Sequence, residues 1–282
     1  MSALWKAATS RRTPKAPSSL RFADALHTNF YMPFLKPTIL RFDSIDSTNL
    51  EAMRQAKLGA PEGLCIVARE QTLGRGRLNR TWQSPVDAGL YFSIVLRPKL
   101  EKNAWPLLTL MSALAVHDAL TKTCGLRTDI KWPNDLCFDE RKLCGILAET
   151  VETAMGLAAI VGIGINLTAD ALPETVSDMA TSVESVTGLP PDRARLLEVL
   201  VKAIGERYDL LQSAQGREHT IREWCANSSY AMGRRVRVAM GIDTFEGTTR
   251  GLEGDGALRV ETQDGRIKIV RAGDVTSVRR SG

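Results

Sequence analysis

Four apolar, strand-like runs follow one another at residues 129–132, 136–138, 142–151 and 157–165, with no helix-forming segment between them. That excludes a clean alternation of strand and helix units over this stretch, and the runs read as successive strands of one sheet. Residues 65–69 and 90–97, the second ended by Pro98, read as further buried strands, and 38–43 as a short one. Helix signals surround them. Ser47-Thr48-Asn49-Leu50-Glu51 offers hydroxyl caps and then an acid in the first turn, starting a helix that runs to about Leu58 before Gly59-Ala60-Pro61 stops it. Leu107–Cys124 has apolar residues at helical spacing and ends at Gly125, a C-cap glycine. Residues 193–212 form an amphipathic helix, and 221–225 continue the helical cover. The expected fold class is α+β, a mixed β-sheet with helical cover over residues 38–230.

After Asn227 the texture changes. Short alternating runs at 235–239, 245–252, 257–262 and 266–271 are punctuated by Gly254-Asp255-Gly256 and Asp264-Gly265, the latter a strong hairpin signal. They predict a separate small SH3-like β-barrel over residues 231–282. The net charge of +5 hints at nucleic acid until it is placed along the chain. Residues 1–38 hold Lys6, Arg11, Arg12, Lys15, Arg21 and Lys36 against the single acid Asp24, which accounts for all of it. Residues 1–37, rich in Ser, Ala, Pro and Arg, are expected to be a disordered basic extension. A transit peptide, a nucleic-acid arm and an inherited extension with the true start at Met32 all stay open for it. Cys65, Cys124, Cys137, Cys144 and Cys225 are odd in number and include no Cys-x-x-Cys pair, which fits reduced thiols of a cytoplasmic protein better than a disulfide framework or a zinc site. No apolar run approaches the roughly 20 residues needed to cross a bilayer, so no membrane insertion is expected.

Chemistry concentrates in four places. Gly74-Arg75-Gly76-Arg77-Leu78-Asn79-Arg80-Thr81-Trp82 joins close backbone approach to guanidinium donors, which suits an anionic ligand, although a solvated basic loop or an RNA-binding patch reads equally well in isolation. In Lys131-Trp132-Pro133-Asn134-Asp135, Asn134 and Asp135 stand at a strand exit where they can hold each other or a cation; alone this is a routine turn. In the segment from Arg141 to Glu149, Lys142 stands at the mouth of an apolar strand with Gly145 leaving room beside it, or is an edge-strand lysine that discourages aggregation. Gly162-Ile163-Gly164-Ile165-Asn166 offers a flat, side-chain-free surface that a planar ring could occupy, and lacks the third glycine and helix of a dinucleotide fingerprint.

In this order the four segments, with Ser47-Thr48-Asn49 and Gln71, resemble the biotin protein ligase family from about Ser44 to the C-terminus. The resemblance implies a class II synthetase-like catalytic domain that activates biotin with ATP to biotinyl-5'-AMP, releases pyrophosphate, and transfers biotin to a lysine of a biotin carboxyl carrier protein. It implies that Ser47, Thr48, Asn49 and Gln71 bind biotin, with Gly145 and Gly162 shaping the pocket floor. Arg75, Gly76 and Arg77 would close over the carboxylate and the α-phosphate, and Lys142 would contact both. Arg75, Arg77 and Lys142 are thus the expected catalytic residues. ATP would meet Arg77, Trp82, Lys131, Asn134, Asp135 and Asn166, with Asp135 as ligand to Mg2+.

Leu78-Asn79 departs from the family's usual basic residue and glycine, which puts loop mobility and adenylate retention in doubt; Asn tolerates positive φ, so the turn can survive. Some relatives carry an N-terminal helix-turn-helix domain. The irregular tail here implies a ligase without one and without specific DNA binding. The implied partner is the carrier domain of acetyl-CoA carboxylase or a related carboxylase, and a homodimer stays open. A lipoate or octanoate ligase and a basic nucleic-acid-binding protein are the competing readings.

Overall fold

The structure, a computed structural model, describes residues 35–172 and 178–278. The expected disordered extension over residues 1–37 lies, but for its last three residues, outside the described residues. Seven strands build the main sheet: β1 (Thr38–Ile45), β2 (Leu64–Gln71), β3 (Gly89–Leu96), β4 (Asp129–Lys131), β5 (Asp135–Phe138), β6 (Arg141–Thr153) and β7 (Gly156–Asn166). Their spatial order is β1-β2-β3-β7-β6-β5-β4, with β1 and β2 parallel and the other neighbours antiparallel. The sheet is therefore mixed. Its parallel pair needs a crossover, which α1 (Thr48–Lys57) supplies, whereas the antiparallel run from β4 to β7 needs only turns. β3, in the interior of the sheet, is buried at every position, as a strand covered on both faces should be.

Side-chain alternation assigns the two faces. Val161, Ile163 and Ile165 of β7 face a large core with α2 (Leu107–Cys124), α4 (Arg193–Leu211) and α5 (Gly216–Ala226). Ala158 and Ile160 face Ala52 and Ala56 of α1. Gly162 and Gly164 share that second face, where Asn49 of the first turn of α1 and Trp82 pack against them. A further short helix, α3 (Val183–Thr187), follows β7. α2 ends as its sequence predicts: Gly125 takes φ 64°, and the Gly125 and Leu126 amides bond the carbonyls of Thr121 and Leu120. Ser47 occupies the N-cap position of α1, but its hydroxyl caps nothing; its own N–H bonds Asp46 Oδ1 at 2.7 Å.

The C-terminal strands β8 (Met232–Met240), β9 (Asp243–Leu252), β10 (Leu258–Glu261), β11 (Ile267–Val270) and β12 (Asp274–Ser277) form an antiparallel sheet in the order β11-β10-β9-β8-β12. This is a small β-domain of the SH3-like kind; β12 was not among the expected strands, and among the described residues no pairing closes β11 onto β12. Nor does it stand apart. Val236, Val238, Leu258 and Val275 belong to the same hydrophobic cluster as α2, and Trp132 Nε1 donates to Gly256 O at 3.0 Å. Among the described residues no helix is long and apolar enough to cross a membrane.

Candidate active site

A cavity of about 410 Å³ lies between the first turn of α1, the glycines of β6 and β7, the arginine segment, and the start of β12. Ser47, Thr48, Asn49, Gln71, Arg75, Gly76, Arg77, Trp82, Asn134, Asp135, Lys142, Gly145, Gly162 and Asn166 all line it. Lys131 does not. It pairs with Asp135 in the β4–β5 ladder, and its ammonium lies 5.7 Å from the centroid of the Tyr230 ring. Proximity in sequence to Asn134 did not carry it to the same side.

The glycine floor is not an open surface. Gly145 and Gly164 are cross-strand partners, and a Cβ on either would stand 2.9 or 2.5 Å from the Trp82 indole. A Cβ on Gly162 would stand 2.1 Å from Asn49 Oδ1. The glycines admit the protein's own indole and amide, and a ligand ring must lie against those groups. Trp82 Nε1 is buried and finds no hydrogen-bond partner among the described residues, which leaves a donor unsatisfied in the site.

At the end nearest α1 the polar groups already bond one another. Gln71 Oε1 accepts from Thr48 N at 2.8 Å and Thr48 Oγ1 at 3.0 Å, and Gln71 Nε2 donates to Ser84 Oγ at 2.8 Å. Ser93 Oγ lies 2.7 Å from Thr48 Oγ1 and 2.6 Å from Asn49 Oδ1. Asn49 Nδ2 donates to Leu147 O and to Glu149 Oε2 at 2.9 Å. The side chains are thus fixed before any ligand arrives, which lowers the entropy cost of binding. Ser93 and Glu149 were missed in the sequence. Glu149 was legible, because it shares a strand face with Gly145 and Leu147 at period two.

Around this network the cations meet acids, and Arg75 joins it through Glu149. Arg75 Nη2 lies 3.0 Å from Glu149 Oε1, and Lys142 Nζ lies 2.6 Å from Asp135 Oδ1. Arg77 donates to Asn134 Oδ1 at 3.0 Å and to Gly273 O at 3.2 Å, and Arg80 pairs with Asp274. Lys142 reaches the cavity because β6 is bulged against β5: Asp135 and Leu136 pair with Gly145 and Cys144, but Cys137 pairs with Lys142. The extra residue puts both Leu143 and Cys144 in the core and turns Lys142 to the glycine face. β6 lies between β5 and β7, so Lys142 is no edge-strand lysine. Burial pushes the thiol of Cys137 up to about 12 and that of Cys144 up as well, which disqualifies both as nucleophiles.

The arginine segment is a closed turn. Gly76 N bonds Arg80 O at 2.7 Å, Trp82 N bonds Gly74 O at 2.9 Å, and Arg75 bridges Thr81. Asn79 adopts φ 59°, but so does Leu78 at φ 55°, where a side chain costs roughly 1–2 kcal/mol. Asn166 is buried with its Nδ2 donating to Thr181 O at 3.1 Å, which leaves its amide oxygen free of that bond.

Residues 41–166, which hold all the expected site residues, match the Biotin/lipoate A/B protein ligase family, and residues 231–276 match the Biotin protein ligase C terminal domain. The biotin--[acetyl-CoA-carboxylase] ligase of Paracoccus denitrificans is 34% identical, over 82% of this chain and 96% of its own. This chain belongs to the biotin protein ligase family. The bifunctional ligase/repressor BirA of Bacillus spizizenii is 37% identical over 82% of this chain and 71% of its own. Among solved structures, a biotin protein ligase from Aquifex aeolicus in complex with biotin and ATP superposes with a TM-score of 0.74 at 32% identity, covering 86% of this ligase-family chain and 99% of that one.

Proposed function

We propose that this chain activates biotin with ATP to biotinyl-5'-AMP, releasing pyrophosphate, and then transfers biotin to a specific lysine of a biotin carboxyl carrier domain, as in acetyl-CoA carboxylase. The observation that carries the reading is one cavity lined both by a preformed polar network and by the cations Arg75, Arg77 and Lys142. The names of the relatives and the biotin and ATP held by the Aquifex aeolicus enzyme support it.

In the first step a carboxylate oxygen of biotin attacks the α-phosphorus and pyrophosphate departs with the bonding pair. Arg75 and Lys142 leave Glu149 and Asp135 to meet the carboxylate and phosphate oxygens, and Arg77 keeps its remaining donors for those oxygens. Fixed donors of this kind stabilise the extra charge of the pentacoordinate phosphorus, and alignment contributes up to roughly 7–11 kcal/mol over free encounter. In the second step a neutral lysine amine attacks the acyl carbon and AMP leaves; Lys142 and Arg77 stabilise the oxyanion and the departing phosphate. His117 bonds Thr128 Oγ1 on the helical side and His219 lies on α5, and neither lines the cavity.

Magnesium enters this reading with the nucleotide. Asp135 and Asn134 are the oxygen donors at the phosphate end that would hold it. Among the described residues no three His, Cys, Asp or Glu stand together as a metal site. When bound it would offset phosphate charge. β1 is an edge of the main sheet, and the carrier domain would dock by strand alignment there.

The test is biotin-dependent exchange of labelled pyrophosphate into ATP, with lipoate and octanoate as parallel acids. Exchange with biotin alone is expected. Exchange with another acid instead would reassign the substrate, and no exchange with any acid would overturn the activity.

A further inference from the structure

The C-terminal sheet contributes a carboxylate to the cavity. Asp274 opens β12, lines the cavity, and takes Arg80 Nη2 on Oδ2 while its Oδ1 stays 3.7 Å from Arg77 Nη1. The preceding residue has to be glycine: Gly273 has φ 150°, and a Cβ there would stand 2.7 Å from Ala239 O. Its carbonyl accepts from Arg77 Nη2. The guanidinium of Arg77 therefore donates to two neutral oxygens, Gly273 O and Asn134 Oδ1, and meets the Asp274 carboxylate only at 3.7 Å, so its hydrogen bonds leave further N–H groups for an anion. The close ion pair falls on Arg80, three residues along the same turn. That turn needs an external tie, because Leu78 holds left-handed backbone with its side chain exposed.

We propose that Asp274 is a positioning residue for the nucleotide end of the cavity: by clamping Arg80 it holds the arginine turn closed, so that Arg77 is presented to phosphate. Retention of nucleotide and adenylate then depends on the C-terminal sheet. The nucleotide part of this inference rests on the ligase reading, but the clamp does not.

Two measurements on the full chain separate them. Arg75, Arg77 and Arg80 are trypsin sites, so cleavage within the turn of the ligand-free protein reports how often it opens. Asp274→Ala should speed that cleavage roughly fivefold, the upper range for an exposed ion pair. It should also raise KM for ATP in pyrophosphate exchange by a comparable factor, with KM for biotin moving less than about twofold, since Arg75 is tied separately to Glu149. Asp274→Glu should restore much of both, and exchanging the charges with Asp274→Arg plus Arg80→Asp should restore protection at the retained sites Arg75 and Arg77, with Arg80→Asp alone as the reference, which a merely structural loss would not permit. Unchanged cleavage in a folded Asp274→Ala protein, a lowered KM for ATP, or a charge exchange without rescue would each overturn the clamp. If the wild type exchanges with no acid, the ligase reading falls and the proteolysis still decides the clamp.

Discussion

Gly162→Ala tests the packing that shapes the cavity. A Cβ at residue 162 would stand 2.1 Å from Asn49 Oδ1 and 2.8 Å from Asn49 Cγ. Neither partner can retreat cheaply. β7 is bonded on both sides, by β3 and β6, and α1 is seated on the sheet through Ala52 and Ala56, both fully buried. The strain should therefore be relieved by rotating the Asn49 amide, which abandons its bonds to Ser93, Leu147 O and Glu149. Three such bonds are worth about 0.5–1.5 kcal/mol each, so a loss of about 2–4 kcal/mol follows, the upper part of the range for overpacking. For a domain of this size each kcal/mol lowers Tm by about 2–4 °C. Calorimetry should show a fall of roughly 5–12 °C, and titration calorimetry a loss of biotin affinity. Asn49→Ala gives up the same three bonds and should cost about as much, and the double variant should melt no lower than Asn49→Ala alone, because the methyl group then fills the vacated space. A Gly162→Ala protein melting within about a degree of wild type, or a double variant in which the two losses simply add, would refute the reasoning.

Lys142→Ala should lose adenylate synthesis by more than roughly tenfold, since it removes a cation from the reacting phosphate and strands Asp135 beside it; near-normal pyrophosphate release would remove Lys142 from the mechanism. Glu149→Gln loosens both Arg75 and Asn49 and should raise KM for biotin severalfold while leaving KM for ATP nearly constant, a split read from initial rates with each substrate varied. Burial lowers the pKa of His117 below the ordinary 6.5. In the window between that lowered value and 6.5 the unfolded chain binds more protons, so stability falls as pH drops through it and is indifferent to the ring above it. Tm measured from about pH 5 to 7 should accordingly depend less on pH in His117→Gln, and an unchanged slope would contradict this.

What the sequence disclosed followed the range of the interaction. α2 was placed to the residue, because its apolar spacing and Gly125 act within a few positions of one another. β3 and β7 were found as continuous apolar runs, and the glycines of β6 and β7 were read as clearance for a ligand ring, whereas the protein's own Trp82 and Asn49 lie against them. What fills that clearance was not readable: Asn49 and Trp82 arrive from α1 and the arginine turn, and only the tertiary fold sets them on Gly162 and Gly164. Lys131 was placed with Asn134 at the ATP phosphates by the family resemblance, yet its ammonium lies over the Tyr230 ring. β12 has one buried side chain, Val275, in four residues, too little pattern to announce a strand. For the same reason Asp274 went unnoticed among site residues that all lay before residue 167.

The acids of the cavity also bear on what it can bind. Asp135 of β5 and Asp274 of β12 line it, Glu149 of β6 stands behind Arg75, and each pairs with a cation of the site. An empty, partly buried cluster of unpaired cations would be costly, and these pairs remove that cost in the free protein. They also oblige a ligand to offer at least the charge it displaces, in geometry that leaves no donor unmet, since a stranded partner is penalised more than a pair is rewarded. A neutral acid analogue, such as an amide of biotin, cannot release Arg75 from Glu149, and a nucleoside without phosphates cannot release Lys142 from Asp135. The same pairs that keep the cavity stable when empty therefore make its affinity depend on anionic charge at two separate points, one for each substrate of the proposed first step.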